Sequence, residues 1–193
     1  MEEGHLYVTP QALQLDSFRL GMKVVKSGFK PDLMIALWRG GAPVGMHVHE
    51  VLKYHKIETD HVAIRTSRYV APGQVSSSIV VHNLTYVKER ILSASPERIY
   101  NILIVDDVWE SGGSICALLK RLREEMEDQT CTTRLDIRFA TLFFKPECNK
   151  TPLLPDFWIT KMPANVWIVF PHELDKVEVM DPEVARILGG QSV

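Results

Sequence analysis

The chain carries only three cysteines, Cys116, Cys131 and Cys148, with no Cys-x-x-Cys pair among them. An odd set of isolated thiols argues against a disulfide-stapled secreted fold and suits a reducing compartment. No apolar run approaches the roughly 20 residues that a membrane-crossing helix needs. The acidic start, Met1-Glu2-Glu3-Gly4-His5, lacks the apolar centre of a secretion signal. An excess of either sign of charge is missing too. A net charge of -2 provides no electrostatic footprint for nucleic acid or an anionic membrane surface. The expected setting is therefore cytoplasmic, with no nucleic acid and no membrane among the partners. Any anion has to be held locally, by a few Arg or Lys side chains and by backbone N–H groups. The Gly-x-x-x-x-Gly-Lys-Ser/Thr loop and the Gly-x-Gly-x-x-Gly fingerprint are both absent, which removes the two commonest glycine-rich phosphate motifs.

At 193 residues the chain reads as one domain, 1–193, large enough to bury well over half of its unfolded surface. Its most informative stretch begins at Ile102-Leu103-Ile104-Val105 and ends in the adjacent acids Asp106-Asp107. The turn Glu110-Ser111-Gly112-Gly113-Ser114 follows, and then Ile115, Leu118, Leu119, Leu122 and Met126 recur at helical spacing. An apolar run cut off by acids and glycine reads as a buried parallel strand opening into a βα loop. In open α/β sheets that edge is where ligands bind. Successive turn N–H groups and the positive end of the helix dipole make a cradle for a phosphate. Carboxylates do not bind phosphate, so Asp106 and Asp107 suit ribose hydroxyls, a bound Mg²⁺ or a developing cation. Phosphate, ribose and cation together suggest a phosphoribosyl donor.

The remaining segments alternate between strand and helix. Thr9-Pro10 is a helix start, with Leu15, Phe18, Met22 and Val25 expected on its buried face and Gly28 as its stop. Leu33–Leu37 reads as a first buried strand running into Trp38-Arg39-Gly40-Gly41, and a helix is expected over about 43–56, with Val44, Val48, Val51 and Leu52 on one face. Strands are expected over 61–66, 79–81, 135–144, 157–160 and 166–169, with a short helix over 84–92 and a final helix from Asp181-Pro182 to Gly189. Residues 67–78 are small and polar around Pro72-Gly73 and read as a long loop of the kind that commonly serves as a lid. The acidic run Glu124 to Asp128 reads as a solvated helix end. His47 and His49 lie two apart on a helix and face different ways; with His55 and His61, they read as surface or packing residues. This alternation points to an α/β fold with a doubly wound, mostly parallel sheet.

The strand, paired acids and Gly/Ser turn of residues 102–114 resemble the diphosphate-sugar signature of the type I phosphoribosyltransferases. Arg39-Gly40-Gly41 resembles the pyrophosphate loop of the xanthine–guanine and hypoxanthine–guanine enzymes of that family. Phe143-Phe144-Lys145-Pro146, Leu154-Pro155-Asp156-Phe157 and Val166-Trp167-Ile168 with Pro171 and Glu173 resemble their purine-binding half. The likeness runs in order from about residue 31 to 175. It implies a core over about 30–150 and a base-binding region over about 151–180.

The resemblance implies the following roles. Arg39 and Gly40 hold the pyrophosphate, and Asp106, Asp107, Ser111, Gly112, Gly113 and Ser114 hold the rest of phosphoribosyl diphosphate. Lys145 donates to the 6-oxo group of the base, Trp167 stacks on its face, and Ile168 offers a backbone carbonyl to its edge. Glu110 stands where relatives usually carry Asp as the proton acceptor, and with Arg39 makes up the implied catalytic pair. Mg²⁺ is the implied cofactor, with Asp106, Asp107 and Glu173 as its candidate ligands. Ser67-Arg68-Tyr69 lies where relatives carry a Ser-Tyr pair on a closing loop. A cis peptide bond is expected at Arg39-Gly40. The implied activity is transfer of ribose 5-phosphate to hypoxanthine, guanine or xanthine, in a homodimer or homotetramer. Apolar Val169 and Phe170 favour hypoxanthine or guanine. A regulator that binds the donor or a nucleotide without turning it over uses the same fold, and Glu110 keeps that alternative open. A pyrimidine or adenine acceptor is a third; Lys145 argues against adenine, because Lys can only donate.

Overall fold

Helix α1 (Pro10–Lys26) begins where the sequence places it. The Thr9 hydroxyl accepts from the Ala12 N–H at 3.1 Å, and Pro10 fills the first helical position. Gly28, at φ +78°, ends it in the left-handed conformation that favours glycine. In this computed structural model the structure describes residues 4–69, 78–82, 84–127, 133–174 and 186–187. The buried face of α1 differs from expectation: it is Leu13, Ser17, Leu20, Gly21 and Val24, whereas Leu15 is 43% exposed. The cause is the neighbouring helix α2 (Gly41–Tyr54). A Cβ on Gly21 would come within 2.8 Å of Val51 Cβ, so the helices approach closely at Gly21 and the face of α1 that carries it turns inward. Ser17 satisfies its hydroxyl inside the helix, donating to the Leu13 carbonyl at 2.6 Å.

The other elements are β1 (Gly4–Tyr7), β2 (Leu33–Trp38), β3 (Asp60–Tyr69), β4 (Ser78–Val81), α3 (Thr85–Leu92), β5 (Ile99–Trp109), α4 (Gly113–Glu127), β6 (Arg134–Phe144), β7 (Phe157–Lys161) and β8 (Val166–Val169). The main sheet has six strands in the order β4-β3-β2-β5-β6-β7. All its pairs are parallel except β3 with β4. One core cluster joins α1 and α2 to one face, around Leu20, Val44, Val48 and Leu103. A second joins α3 and α4 to the other, around Ile35, Ile91, Ile104 and Leu118. This is the doubly wound α/β fold read from the sequence. The chain leaves β2 toward β3 and returns to β5 on the other side of β2, so the topological switch point lies between β2 and β5, where such sheets bind ligands.

Three expectations are corrected here. Strand β5 does not stop before the acids: pairing with β6 continues through Asp106↔Thr141, Val108↔Phe143 and Trp109↔Phe144, because β6 is long enough to carry the ladder past them. Ser67 and Tyr69 lie within β3, opposite Val80 and Ser78 of β4, rather than in a loop; residues 70–77, the centre of the expected lid, lie outside the described residues. Strand β8 leaves the main sheet and pairs in parallel with β1, His5 opposite Trp167 and Leu6 opposite Ile168. Four residues are too few to show a period, which is why β1 was not legible. The final helix expected from Asp181 lies almost wholly outside the described residues. Among the described residues no helix is long and apolar enough to cross a membrane.

Candidate active site

The loop after β2 and the acids of β5 are packed against each other. A Cβ on Gly40 would fall inside the Asp107 carboxylate, and one on Gly41 would strike the Val105 carbonyl oxygen and lie 3.0 Å from Asp106 Cα. The two glycines are therefore required by close approach. The cis peptide bond lies between Trp38 and Arg39, one residue before the expected Arg39-Gly40 bond. Gly40 is already helical, at φ −66° and ψ −35°, as the cap of α2, which leaves the turn to the preceding peptide. Arg39 is exposed, and its guanidinium is free to meet an anion.

Asp106 and Asp107 sit side by side at the switch point. Asp106 Oδ1 accepts from the Asp107 N–H at 3.0 Å, and Asp107 Oδ1 from the Val108 N–H at 2.8 Å. Burial, and then the charge of Asp107, push the Asp106 carboxyl well above the usual range. Burial raises Asp107 as well, opposed by its hydrogen bonds and by His172. Crowded carboxylates of this kind fit a hard divalent cation. The described residues hold no cluster of three or more His, Cys, Asp or Glu side chains that could hold a metal ion; Mg²⁺ usually takes one or two protein carboxylates and completes its shell with water and substrate oxygens.

A carboxyl raised in the folded state binds its proton more tightly there than in the unfolded chain. Its contribution to stability is then largest at low pH and is lost as pH rises from the ordinary aspartate range through the folded value. Asp106→Asn is expected to raise the melting temperature at neutral pH and to flatten the fall in stability as pH rises above the ordinary aspartate range, while weakening donor binding. Thermal unfolding as a function of pH, with and without donor, checks both effects.

Between β5 and α4 runs the Gly/Ser turn. Gly112 takes φ +73°, and a Cβ there would lie 2.6 Å from Thr151 Oγ1 and 3.0 Å from Asn149 Oδ1. The Ser111 hydroxyl accepts from the Gly113 N–H at 3.3 Å. A cleft of about 150 Å³ is lined by this turn together with Asp106 and Val108. Its back wall is braced by Asn149, which sequence reasoning missed. Asn149 Oδ1 accepts from Trp109 Nε1 at 3.2 Å, and Nδ2 donates to the carbonyls of Thr151 and Leu153 at 3.0 and 2.9 Å. The Lys150 N–H donates to the Ser111 carbonyl at 3.1 Å. Asn149→Ala leaves these partners unpaired. The expected cost is about 1–3 kcal/mol, with a raised KM for the donor; chemical denaturation and donor-dependent kinetics measure the two effects.

The structure brings Glu110 and Lys145 together across 35 residues. The Lys145 N–H continues the β5–β6 pairing by donating to the Trp109 carbonyl at 2.9 Å. Its Nζ donates to Glu110 Oε1 at 3.0 Å; the lysine side chain is 5% exposed and the glutamate 48%. Trp167 and Ile168 lie on β8 of the two-stranded sheet. Trp167 is 48% exposed, whereas the Ile168 side chain is 6% exposed and belongs to the core. The Glu173 carboxylate accepts from the Phe170 N–H at 3.3 Å. His172, also missed, has Nε2 4.0 Å from Asp107 Oδ2. Both missed residues flank recognised motifs, Lys145-Pro146 and Pro171 with Glu173; neither stands at a spacing that marks it.

Two glycine turns and two adjacent acids thus converge on the switch point of a mostly parallel α/β sheet, the place where such sheets bind ligands. Comparison with known proteins gives the family. The family model of the phosphoribosyl transferase domain matches residues 12–176. The chain belongs to the phosphoribosyl transferase domain family, and with it to the transferases. Among solved structures it is similar to a purine phosphoribosyltransferase from Pyrococcus horikoshii Ot3, at 22% identity over 92% of this chain and 97% of that one, with a TM-score of 0.63. A Helicobacter pylori xanthine-guanine-hypoxanthine phosphoribosyltransferase matches at 22% identity over 89% and 95%, TM-score 0.60. A hypothetical protein from Neisseria gonorrhoeae with bound ppGpp matches at 22% over 97% of both chains, TM-score 0.71. No curated protein matches the chain by sequence.

Proposed function

We propose that the protein transfers ribose 5-phosphate from phosphoribosyl diphosphate to a ring nitrogen of a 6-oxopurine and releases pyrophosphate. The observation that carries this reading is the buried Lys145 ammonium, held by Glu110 immediately beside the donor-binding turn. A donor of the phosphoribosyl group needs no such pair. An acceptor that presents a carbonyl and an N–H needs a cation to meet the first and a carboxylate to take the proton of the second.

In the reaction the bond between the anomeric carbon and the pyrophosphate oxygen breaks, and a bond from the purine nitrogen to that carbon forms. Ser111 to Ser114 hold the 5-phosphate by backbone N–H groups, and the carboxylates of Asp106 and Asp107 hold the ribose hydroxyls. As positive charge grows on the sugar, these carboxylates lie near it. Arg39 and the Gly40-Gly41 backbone hold the departing pyrophosphate; preorganised charge of this kind is usually the largest catalytic contribution. When the 6-oxo group takes the Lys145 ammonium, Glu110 is released from its ion pair and accepts the purine proton. Trp167 offers a stacking face, worth about 1–3 kcal/mol per base, and Ile168 a backbone carbonyl. Asp106, Asp107 and Glu173 are the residues that would hold Mg²⁺, which would supply positive charge to the phosphate oxygens. Assembly as a homodimer or homotetramer belongs to the same reading, supported by the exposed apolar side chains Leu15 and Tyr54 on α1 and α2.

A second reading is favoured by one observation, the ppGpp bound to the similar Neisseria gonorrhoeae protein: a nucleotide-binding regulator without turnover. Pyrophosphate release separates the two. With phosphoribosyl diphosphate and Mg²⁺, release is expected with hypoxanthine, guanine or xanthine and not with adenine or uracil. Release with none of the five, alongside tight nucleotide binding, supports the regulator.

A further inference from the structure

His172 is held by packing and aimed at the acidic pair. Its ring stacks on Phe170 with centroids 5.4 Å apart and planes 17° from parallel. Phe170 is 2% exposed and meets the edge of Phe143 at 5.9 Å. The turn that carries His172 is closed at both ends: the Phe170 N–H donates to the Glu173 carboxylate, and the Glu173 N–H to the Phe170 carbonyl at 3.0 Å. Little freedom is left to the imidazole.

Its two nitrogens meet different surroundings. Nδ1 is buried without a hydrogen-bond partner, and Nε2 faces Asp107 Oδ2 at 4.0 Å. A proton on Nδ1 would leave a buried N–H unpaired and set the bare Nε2 lone pair against a carboxylate oxygen, whereas a proton on Nε2 faces an acceptor. The favoured tautomer therefore carries its proton on Nε2, pointed at the carboxylate. Asp107 Oδ1 is already tied to the Val108 N–H at 2.8 Å. The backbone thus holds one oxygen and the imidazole faces the other.

We propose that His172 is a positioning residue for the sugar donor: its Nε2–H orients the Asp107 carboxylate so that the ribose hydroxyls meet it in one geometry. The contact is long without ligand and closes to a hydrogen bond when the donor fills the site, as such contacts commonly do on going from the free to the bound state. The residue also joins the segment after β8, on the base-binding side, to the sugar-binding acids of β5. This rests on the function proposed above only in that the sugar is a phosphoribosyl donor.

The test is donor binding by calorimetry with phosphoribosyl diphosphate and Mg²⁺, for the full chain and for His172→Ala, His172→Phe and His172→Gln, together with separate KM values for donor and base. His172→Ala and His172→Phe are expected to weaken donor binding about tenfold, as loss of one hydrogen bond to a charged group does. The base KM should stay within about twofold of wild type, and His172→Gln, whose amide can donate, should recover most of the loss. Three results overturn the proposal: His172→Phe binding donor like wild type, His172→Gln doing no better than His172→Phe, or base KM rising in step with donor Kd. A wild-type chain that binds no donor overturns the function proposed above as well; a wild type that binds donor beside an unaffected His172→Ala overturns only the role of His172.

Discussion

Glu110→Gln is expected to lower kcat by about 10²- to 10⁴-fold, the usual contribution of a positioned general base, while leaving donor binding close to wild type. Glutamine keeps the length of the side chain, and its amide oxygen can still accept from Lys145, so the local packing is retained. What it loses is the capacity to take a proton from the purine. Glu110→Asp is the informative companion. It keeps the proton acceptor but withdraws it by one methylene from an ammonium that now sits 3.0 Å away. Activity within about tenfold of wild type is expected for Asp, and a loss near that of Gln would mean that reach, not chemistry, sets the rate. Steady-state kcat at saturating donor and base is the measurement. Glu110→Gln retaining kcat within twofold of wild type would place the proton acceptor elsewhere.

Gly41→Ala is expected to be nearly as damaging, by another route. The neighbours of the missing Cβ are backbone atoms of β5, the Val105 carbonyl and Asp106 Cα, which cannot move aside without displacing the acids that follow. A shift of about 1 Å at a site of this kind costs about 10²-fold in kcat/KM. The overpacking adds about 1–3 kcal/mol of destabilisation. A variant that still unfolds cooperatively but binds donor at least 10²-fold more weakly is the expected outcome, read by calorimetry beside thermal unfolding. Gly28→Ala is the control: that glycine also ends a helix turn, yet nothing lies within 4 Å of a Cβ there, so only the cost of its positive φ is expected and donor binding should be unchanged.

The sequence was legible wherever one local pattern decided an element. The run Ile102–Val105 is buried on both faces of its strand, Thr9 caps α1 through one hydrogen bond, and Ile115, Leu118 and Leu122 mark the single buried face of α4. It was illegible where two surfaces compete. Helix α1 carries apolar residues on more than one face, and only the approach of α2 at Val51 to Gly21 reveals that the face of Leu13, Leu20 and Val24 is inside. Strand β5 continues past its acids because its partner β6 does, a property of the pair that neither segment shows alone. Within the site, Asp106, Asp107 and the Gly/Ser turn were readable because their order along the chain is their order in space. The contact between Glu110 and Lys145, the brace at Asn149 and the approach of His172 to Asp107 all join distant segments. Only the fold brings such pairs together.

The central claim is that the switch-point site makes a purine nucleotide. Chromatographic detection of a purine 5′-mononucleotide, formed from a 6-oxopurine, phosphoribosyl diphosphate and Mg²⁺, tests it most directly. Nucleotide appearing in equal amount to pyrophosphate, and lost in Lys145→Ala, is the predicted result. Donor consumed with no nucleotide formed, or no donor consumed at all, would contradict it.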